Sequence, residues 1–354
     1  MATRSMSHNP GDPVKAESIE HWADGLEPAN SDQHEAPAPP AQSTPPSREP
    51  RPCSADGPLL QLVYHNLDRQ YLALDAQIRQ ARSDGITVAV VHGMRTASRR
   101  MRATLRVFRE LLPNRPRHHF TGELAWFAGE LGRVRDLDVQ CTNLERDIAA
   151  RPAAESARFE PYLERLRADR ELAARQCGAT LGSERAAKLL EDLAAFLAAE
   201  PSPAALRRWS DLGAREGALQ FALRARKRLR KLGKRAQDDG TPSHLHKLRI
   251  RCKRFRYLLE CLEPVCDDRL RRTVHVVRKV QDTLGCYQDA HVARQRIADE
   301  RARSGSDAQV TGLLLQEISR ARDADADAAR RQFHEDWRAF EHRVTKKKLR
   351  KLLR

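Results

Sequence analysis

His92 to Arg106 reads HGMRTASRRMRATLR, and 154 residues later the chain repeats it as HKLRIRCKRFRYLLE, from His246 to Glu260. His92 answers to His246, Arg95 to Arg249, Arg99 to Lys253, Arg100 to Arg254, Arg102 to Arg256 and Leu105 to Leu259. Charge sign is kept in every one of these pairs and reverses only at the last position, where Arg106 meets Glu260. A second echo follows 153 residues apart: LGRVRDLDV from Leu131 returns as LGCYQDAHV from Leu284, pairing Gly132 with Gly285 and Asp136 with Asp289. From His to Asp the two anchors are separated by 44 residues in one copy and 43 in the other, which identifies a tandem duplication.

At about 100° per residue, Met94, Ser98, Met101, Leu105, Phe108 and Leu112 share one helix face, as do Leu248, Cys252, Phe255, Leu259 and Leu262. These are core stripes. Around the same helix, His92, Arg95, Arg99, Arg102 and Arg106 form a second stripe about 21 Å long at a rise of 1.5 Å per residue, matched by His246, Arg249, Lys253 and Arg256. Arg100 and Arg254 add charge beside them. Like charges three or four residues apart disfavour a helix by about 0.2 to 0.5 kcal/mol per pair, and no acid is interleaved among these positions. Two compensations fit, acidic side chains on a neighbouring helix or an anionic ligand.

Composition supports a long-helix protein. The 354 residues include 32% charged and only 5% aromatic side chains, with a formal charge of +16. Residues 1–57 hold ten of the nineteen prolines and carry nine acids against four bases, without apolar periodicity, so they are expected to form a disordered, mildly acidic tail. Removing that tail's −5 from +16 leaves +21 on residues 58–354. Seven cysteines, odd in number and without a CxxC pair, point to reduced thiols. No signal-peptide apolar region and no run near the ~18 apolar residues of a membrane span appears, so a cytoplasmic protein with no membrane partner is expected.

Outward from the motif, helices are predicted over residues 59–81, 87–112, 122–149 and 152–199, the last with a break at 178–183; Pro201 and Pro203 separate the halves. The second half repeats the scheme over 204–235, 243–262, 267–303 and 307 to the C-terminus. The expected fold is therefore all-α: two tandem four-helix bundles, about 58–200 and 201–354, related by an approximate two-fold axis. The helix before the second motif adds Arg224, Lys227, Lys231 and Lys234, which line a common groove with the motif stripe if that helix packs antiparallel to it. Gly132 and Gly285 suit close helix packing; Asp136 and Asp289 either hold a stripe arginine or pair at the surface. The C-terminal run 343–354 carries seven bases and no acid, and reads as a helix end or a nonspecific electrostatic tail.

Arginine's planar fork gives two parallel hydrogen bonds to phosphate and keeps its charge, while lysine supplies a point charge. A histidine heading each stripe either donates to a phosphate oxygen or serves as a cap or core residue. At these residues the chain resembles the CHAD family, the conserved histidine α-helical domain. The pattern is His92/Arg95/Arg99/Arg100/Arg102 and His246/Arg249/Lys253/Arg254/Arg256 with Tyr257, then Leu131/Gly132/Asp136 and Leu284/Gly285/Asp289. The resemblance spans residues 58 to 345 and implies a helical domain of two four-helix halves that binds inorganic polyphosphate on a basic surface between them, with polyphosphate granules as the expected location. Gln288 departs from the Asn or Arg usual before the later Asp, and neither the alternating-acid element nor the strands of an adjoining triphosphatase domain are present.

Polyphosphate binding without catalysis and without a cofactor is thus the first reading, resting on the two stripes with Lys227 and Lys231. A nucleic-acid or ribosome-associated basic protein is the competing one, disfavoured by the scarcity of aromatic stacking groups and the lack of a DNA-reading motif. An Mg²⁺-dependent phosphate enzyme is a third; Asp323, Asp325 and Asp327, two residues apart on a helix, point successively about 200° apart and do not converge. A homodimer is compatible with the sequence.

Overall fold

The computed structural model describes residues 49–152, 156–199, 213–303 and 308–353. The predicted tail up to residue 48, the boundary prolines Pro201 and Pro203, and residues 204–212 of the predicted fifth helix lie outside these.

Both motif helices start in the same way. In α2 (Val88–Val107) the Thr87 hydroxyl accepts from Val90 N, and in α7 (Pro242–Cys261) the Thr241 hydroxyl accepts from His244 N, each at 3.3 Å. Thr87 and Thr241 are 154 residues apart, so the duplication includes the caps, which satisfy N–H groups otherwise left open in the first turn. A glycine with positive φ makes the turn before each helix, Gly85 at 79° and Gly240 at 54°. Every position of both predicted core stripes is buried.

Around this pair the first half runs α1 (Leu59–Asp84), α2, α3 (Asn114–Ala149), α4 (Glu160–Leu181) and α5 (Glu184–Ala198). The second half runs α6 (Ala214–Asp238), α7, α8 (Arg271–Arg303), α9 (Ala308–Arg343) and α10 (Lys346–Leu352). Each half's fourth helical stretch is divided, at Gly182–Ser183 and at Val344–Thr345, where Ser183 and Thr345 cap the helices that follow. α3 begins eight residues before its predicted start: Pro116 lies in its first turn, where a missing N–H breaks no helical hydrogen bond. The predicted α2 is shortened to Val107, although Leu111 and Leu112 beyond it remain buried.

Like elements meet across the halves. α1 packs on α6 and α2 on α7. The caps of α1 and α6 are joined by an isolated bridge between Pro58 and Gly213, with Ala214 N donating to Gly57 O at 2.9 Å; no other strand pairing occurs among the described residues. Asn66 of α1 donates to Cys261 O at 2.9 Å, satisfying a carbonyl at the end of α7. One hydrophobic cluster runs through both halves, and a smaller one of Leu144, Phe159, Leu163 and Leu166 lies between α3 and α4. No helix is long and apolar enough to cross a membrane among the described residues.

Residues 51–55, assigned to the tail on composition, pack on the fold. Arg51 N donates to the buried Asp68 carboxylate at 3.1 Å, its guanidinium lies 4.9 Å from the Tyr64 ring centroid, and Cys53 and Ala55 rest against the core. Anchoring contacts of this kind are invisible to a compositional reading of a proline-rich segment.

Gly233 of α6 is required by close approach, since a Cβ there would stand 1.8 Å from the ring of the fully buried Trp337 on α9. Gly233→Ala is expected to lower the unfolding free energy in urea by about 1 to 3 kcal/mol through overpacking. Gly129→Ala on α3, where nothing lies within 4 Å, should be neutral or stabilising. Equal midpoints for the two variants would contradict the packing shown.

Candidate functional site

The side-by-side packing of α2 and α7 merges the two basic stripes. Arg99 of α2 has its guanidinium 5.6 Å from the Tyr257 ring centroid, and Arg256, Arg100 and Arg249 all press electrostatically on it. Burial first, then these neighbours, hold its pKa below the usual arginine value. Lys253, the repeat counterpart of Arg99, is pushed down to about 8 by burial, then by Arg249, Arg99 and Arg256, against the opposing pull of Asp289. Arg99 and Lys253 therefore occupy the centre, each within reach of the other copy's charges.

The glycine and aspartate of the second echo support the flanking arginines. A Cβ on Gly132 would meet Arg95 Nη1 at 2.8 Å, and one on Gly285 would lie 3.6 Å from Arg249 Nε. The helix packing these glycines permit is thus the seating of an arginine across α3 and across α8. Arg95 Nη1 donates to Ala128 O at 3.2 Å and is drawn by Asp136, while Arg249 Nη2 stands 3.9 Å from Asp289. Both aspartates face a stripe arginine, so of the two roles open to them the holding role fits.

The histidines differ. His92 is exposed, and partial burial with Arg135, Arg99 and Arg95 nearby lowers its pKa. His246 is exposed too, and its Nδ1 lies 3.0 Å from Gln288 Oε1. Gln288 stands where Arg135 stands in the first copy, so the same position bears a positive charge in one half and an amide acceptor in the other. Arg135 was not singled out from sequence, although its place directly before Asp136 marked it.

The remaining predicted residues fall into two groups. Arg100 and Arg256 converge on Glu260: Arg100 Nη2 is 3.3 Å from Glu260 Oε2, Arg256 Nη1 donates to Oε1, and Arg278 from α8 stands 3.8 Å away. Arg256 is buried, donates from Nε to Gln281 Oε1 at 2.8 Å and lies 4.6 Å from the Tyr257 ring centroid. These are internal ion pairs, and the acidic compensation anticipated from a neighbouring helix exists here for only part of the stripe. Arg102, Arg106 and Arg254 form the other group, toward the end of α2, where Arg106 faces both Arg102 and Arg254. Lys227 and Lys231 are exposed on α6, which runs beside α7, but neither is among the charges that press on Arg99 or Lys253.

No group of three or more His, Cys, Asp or Glu side chains able to hold a metal ion occurs among the described residues. Asp323 and Asp325 pair with Arg294 at 3.0 Å and Arg322 at 2.9 Å. What the central cluster offers is a row of cations with few acidic partners; beneath it the Nε atoms of Arg99, Arg100, Arg102 and Arg249 are buried without a hydrogen-bond partner.

With this geometry the chain matches the CHAD domain family over residues 66–298, and it belongs to that family. Two solved structures share the fold. PptA from Streptomyces chartreusis aligns with a TM-score of 0.64 at 20% identity, covering 80% of this chain and 100% of that one. The CHAD domain from the plant Ricinus communis aligns with a TM-score of 0.63 at 23% identity, covering 82% of this chain and 97% of that one. No curated protein matched the sequence.

Lys253 gives the cluster a pH signature. Its folded pKa, about 8, lies below the ordinary value of 10.5, so between these limits the folded state binds fewer protons than the unfolded state. Stability should therefore rise as pH increases from about 8 to about 10.5. Urea unfolding across that range should show this rise for the unaltered protein and lose it in Lys253→Met. An identical pH slope in both proteins would contradict the cluster's electrostatics.

Proposed function

We propose that this chain binds inorganic polyphosphate, without catalysis, on the surface where α2 and α7 meet. The observation that carries the reading is the merging of two duplicated stripes into one cluster, in which Arg95 and Arg99 from one copy stand with Arg249 and Lys253 from the other, Asp136 drawing on Arg95 and Asp289 on Arg249 and Lys253. A linear anion with charge on every unit suits such a row: it relieves the repulsion along it, and charge-assisted hydrogen bonds to guanidinium are the stronger kind. Membership of the CHAD family supports polyphosphate as the polyanion, and association with polyphosphate granules in the cytoplasm follows from the same reading.

Among the described residues every Phe, Tyr and Trp side chain is buried or half-buried, which leaves little for the stacking on which single-stranded nucleic acid relies. Binding here is predominantly ionic, and its affinity should fall steeply with salt, as for other polyanions that release counterions.

Calorimetric titration of the full chain with long-chain polyphosphate, duplex DNA and RNA at near-physiological salt tests this. Polyphosphate is expected to bind at least about tenfold, or ~1.4 kcal/mol, more tightly than either nucleic acid. The preference should vanish in a folded variant carrying Arg95→Ala, Arg99→Ala, Arg249→Ala and Lys253→Ala. Equal affinity for all three polyanions, or a variant that binds unchanged, would overturn the proposal.

A further inference from the structure

The one charge reversal between the repeats, Arg106 against Glu260, makes the two ends of the basic surface unlike. At the Glu260 end three arginines already share one carboxylate. Arg100, Arg256 and Arg278 all face that carboxylate, and Gln281 takes the remaining Arg256 Nε.

Among the described residues the same positions in the other copy pair with no acid. Arg100 with Glu260 corresponds by the repeat to Arg254 with Arg106, and Arg256 with Glu260 to Arg102 with Arg106. Both of those pairs are arginine against arginine: burial and Arg106 hold Arg102 below its usual pKa, and burial, Arg251 and Arg106 do the same to Arg254. Gln281 has Ala128 as its counterpart, whose carbonyl is used by Arg95, and Arg102 Nε is left buried without a partner. None of Arg102, Arg106, Arg251 and Arg254 forms an ion pair among the described residues. A nearby acid, Glu110 in the turn after α2, is paired with Arg224 of α6 at 3.5 Å. Arg106 also lies in the last turn of α2, where a cation is favoured by the helix dipole, whereas Glu260 in the last turn of α7 opposes it and relies on its three arginines.

Resting on the polyphosphate reading above, we infer that the anion path is one-sided: a polyphosphate chain longer than the central cluster continues past Arg102 and Arg106 over Arg254 and Arg251, and not past Glu260. A short phosphate oligomer satisfies the centre alone. A long chain gains the Arg106 arm, where its phosphates supply the negative charge that Glu260 supplies in the other copy. The Glu260 end offers instead arginines whose donors Glu260 and Gln281 already engage.

The test compares the full-length protein with Arg106→Glu, Arg106→Gln and Glu260→Gln in titrations with tripolyphosphate and with long-chain polyphosphate. Arg106→Glu should weaken long-chain binding by about tenfold or more and flatten its dependence on salt, while tripolyphosphate binding stays within about twofold. Arg106→Gln should show the same selectivity with a smaller loss; since Arg106 is exposed, both variants are expected to keep the helical circular dichroism of the parent. Glu260→Gln should leave long-chain affinity unchanged or raise it. Long-chain binding unaffected by Arg106→Glu, or weakened as much by Glu260→Gln, would overturn the one-sided path while leaving the central site standing. Failure of the unaltered protein to bind either ligand would remove the polyphosphate reading and this inference with it.

Discussion

Everything in this molecule depends on the contact between α2 and α7, because it forces two like-charged helices together. Magnitudes show why it holds. Each helix buries a stripe of large apolar side chains, among them Met94, Met101, Leu105 and Phe108 on one and Leu248, Phe255, Leu259 and Leu262 on the other. Each such side chain contributes about 1.5 to 3 kcal/mol. A like-charged neighbour on an exposed helix face costs only about 0.2 to 0.5 kcal/mol. Core burial therefore fixes the geometry and the cations accept the positions it leaves them. Polar links set the register, with Asn66 on the Cys261 carbonyl and Thr104 Oγ1 3.4 Å from Cys261 Sγ.

Within that frame the arginines divide by their partners. Arg100, Arg256 and Arg278 share Glu260, and Arg170 pairs with the buried Asp138 at 3.1 Å to tie α4 to α3. Arginines of this kind hold helices together, and removing Glu260 or Asp138 would leave them facing one another. Arg99 and Arg102 instead form no ion pair with an acid among the described residues and have their pKa values lowered by burial and neighbouring arginines, and Lys253 sits where its own charge is disfavoured. Such unrelieved charge is weak support for a fold and suits a surface completed by an anion.

Much of this was legible in the sequence because the duplication reports on structure twice. The 154-residue offset located both basic helices and both core stripes, and helical spacing separated the charged face from the buried one. The second echo gave Gly132 and Gly285 as close-approach positions, although what approaches is an arginine side chain as well as a helix. Periodicity could not assign partners. Nothing in the order of residues says that Glu260 gathers arginines from two other helices, that Tyr257 lies against both Arg99 and Arg256, or that Arg51 is held by Asp68 and Tyr64. These are tertiary contacts between residues distant along the chain. The Arg106/Glu260 reversal was visible as the one sign change, but its meaning depends on which side chains face it.

The central claim is that the merged cluster is held at a cost to stability that an anion relieves. Its most direct test is the unfolding free energy of Arg99→Met, which keeps the apolar stem against Tyr257 and removes the charge, measured with and without saturating long-chain polyphosphate. The account predicts that the variant is at least as stable as the parent in the absence of polyphosphate and gains far less than the parent in its presence, since a ligand stabilises only in proportion to its affinity for the folded state. A variant that is less stable when free yet gains as much from polyphosphate would contradict it, and would make Arg99 a structural residue.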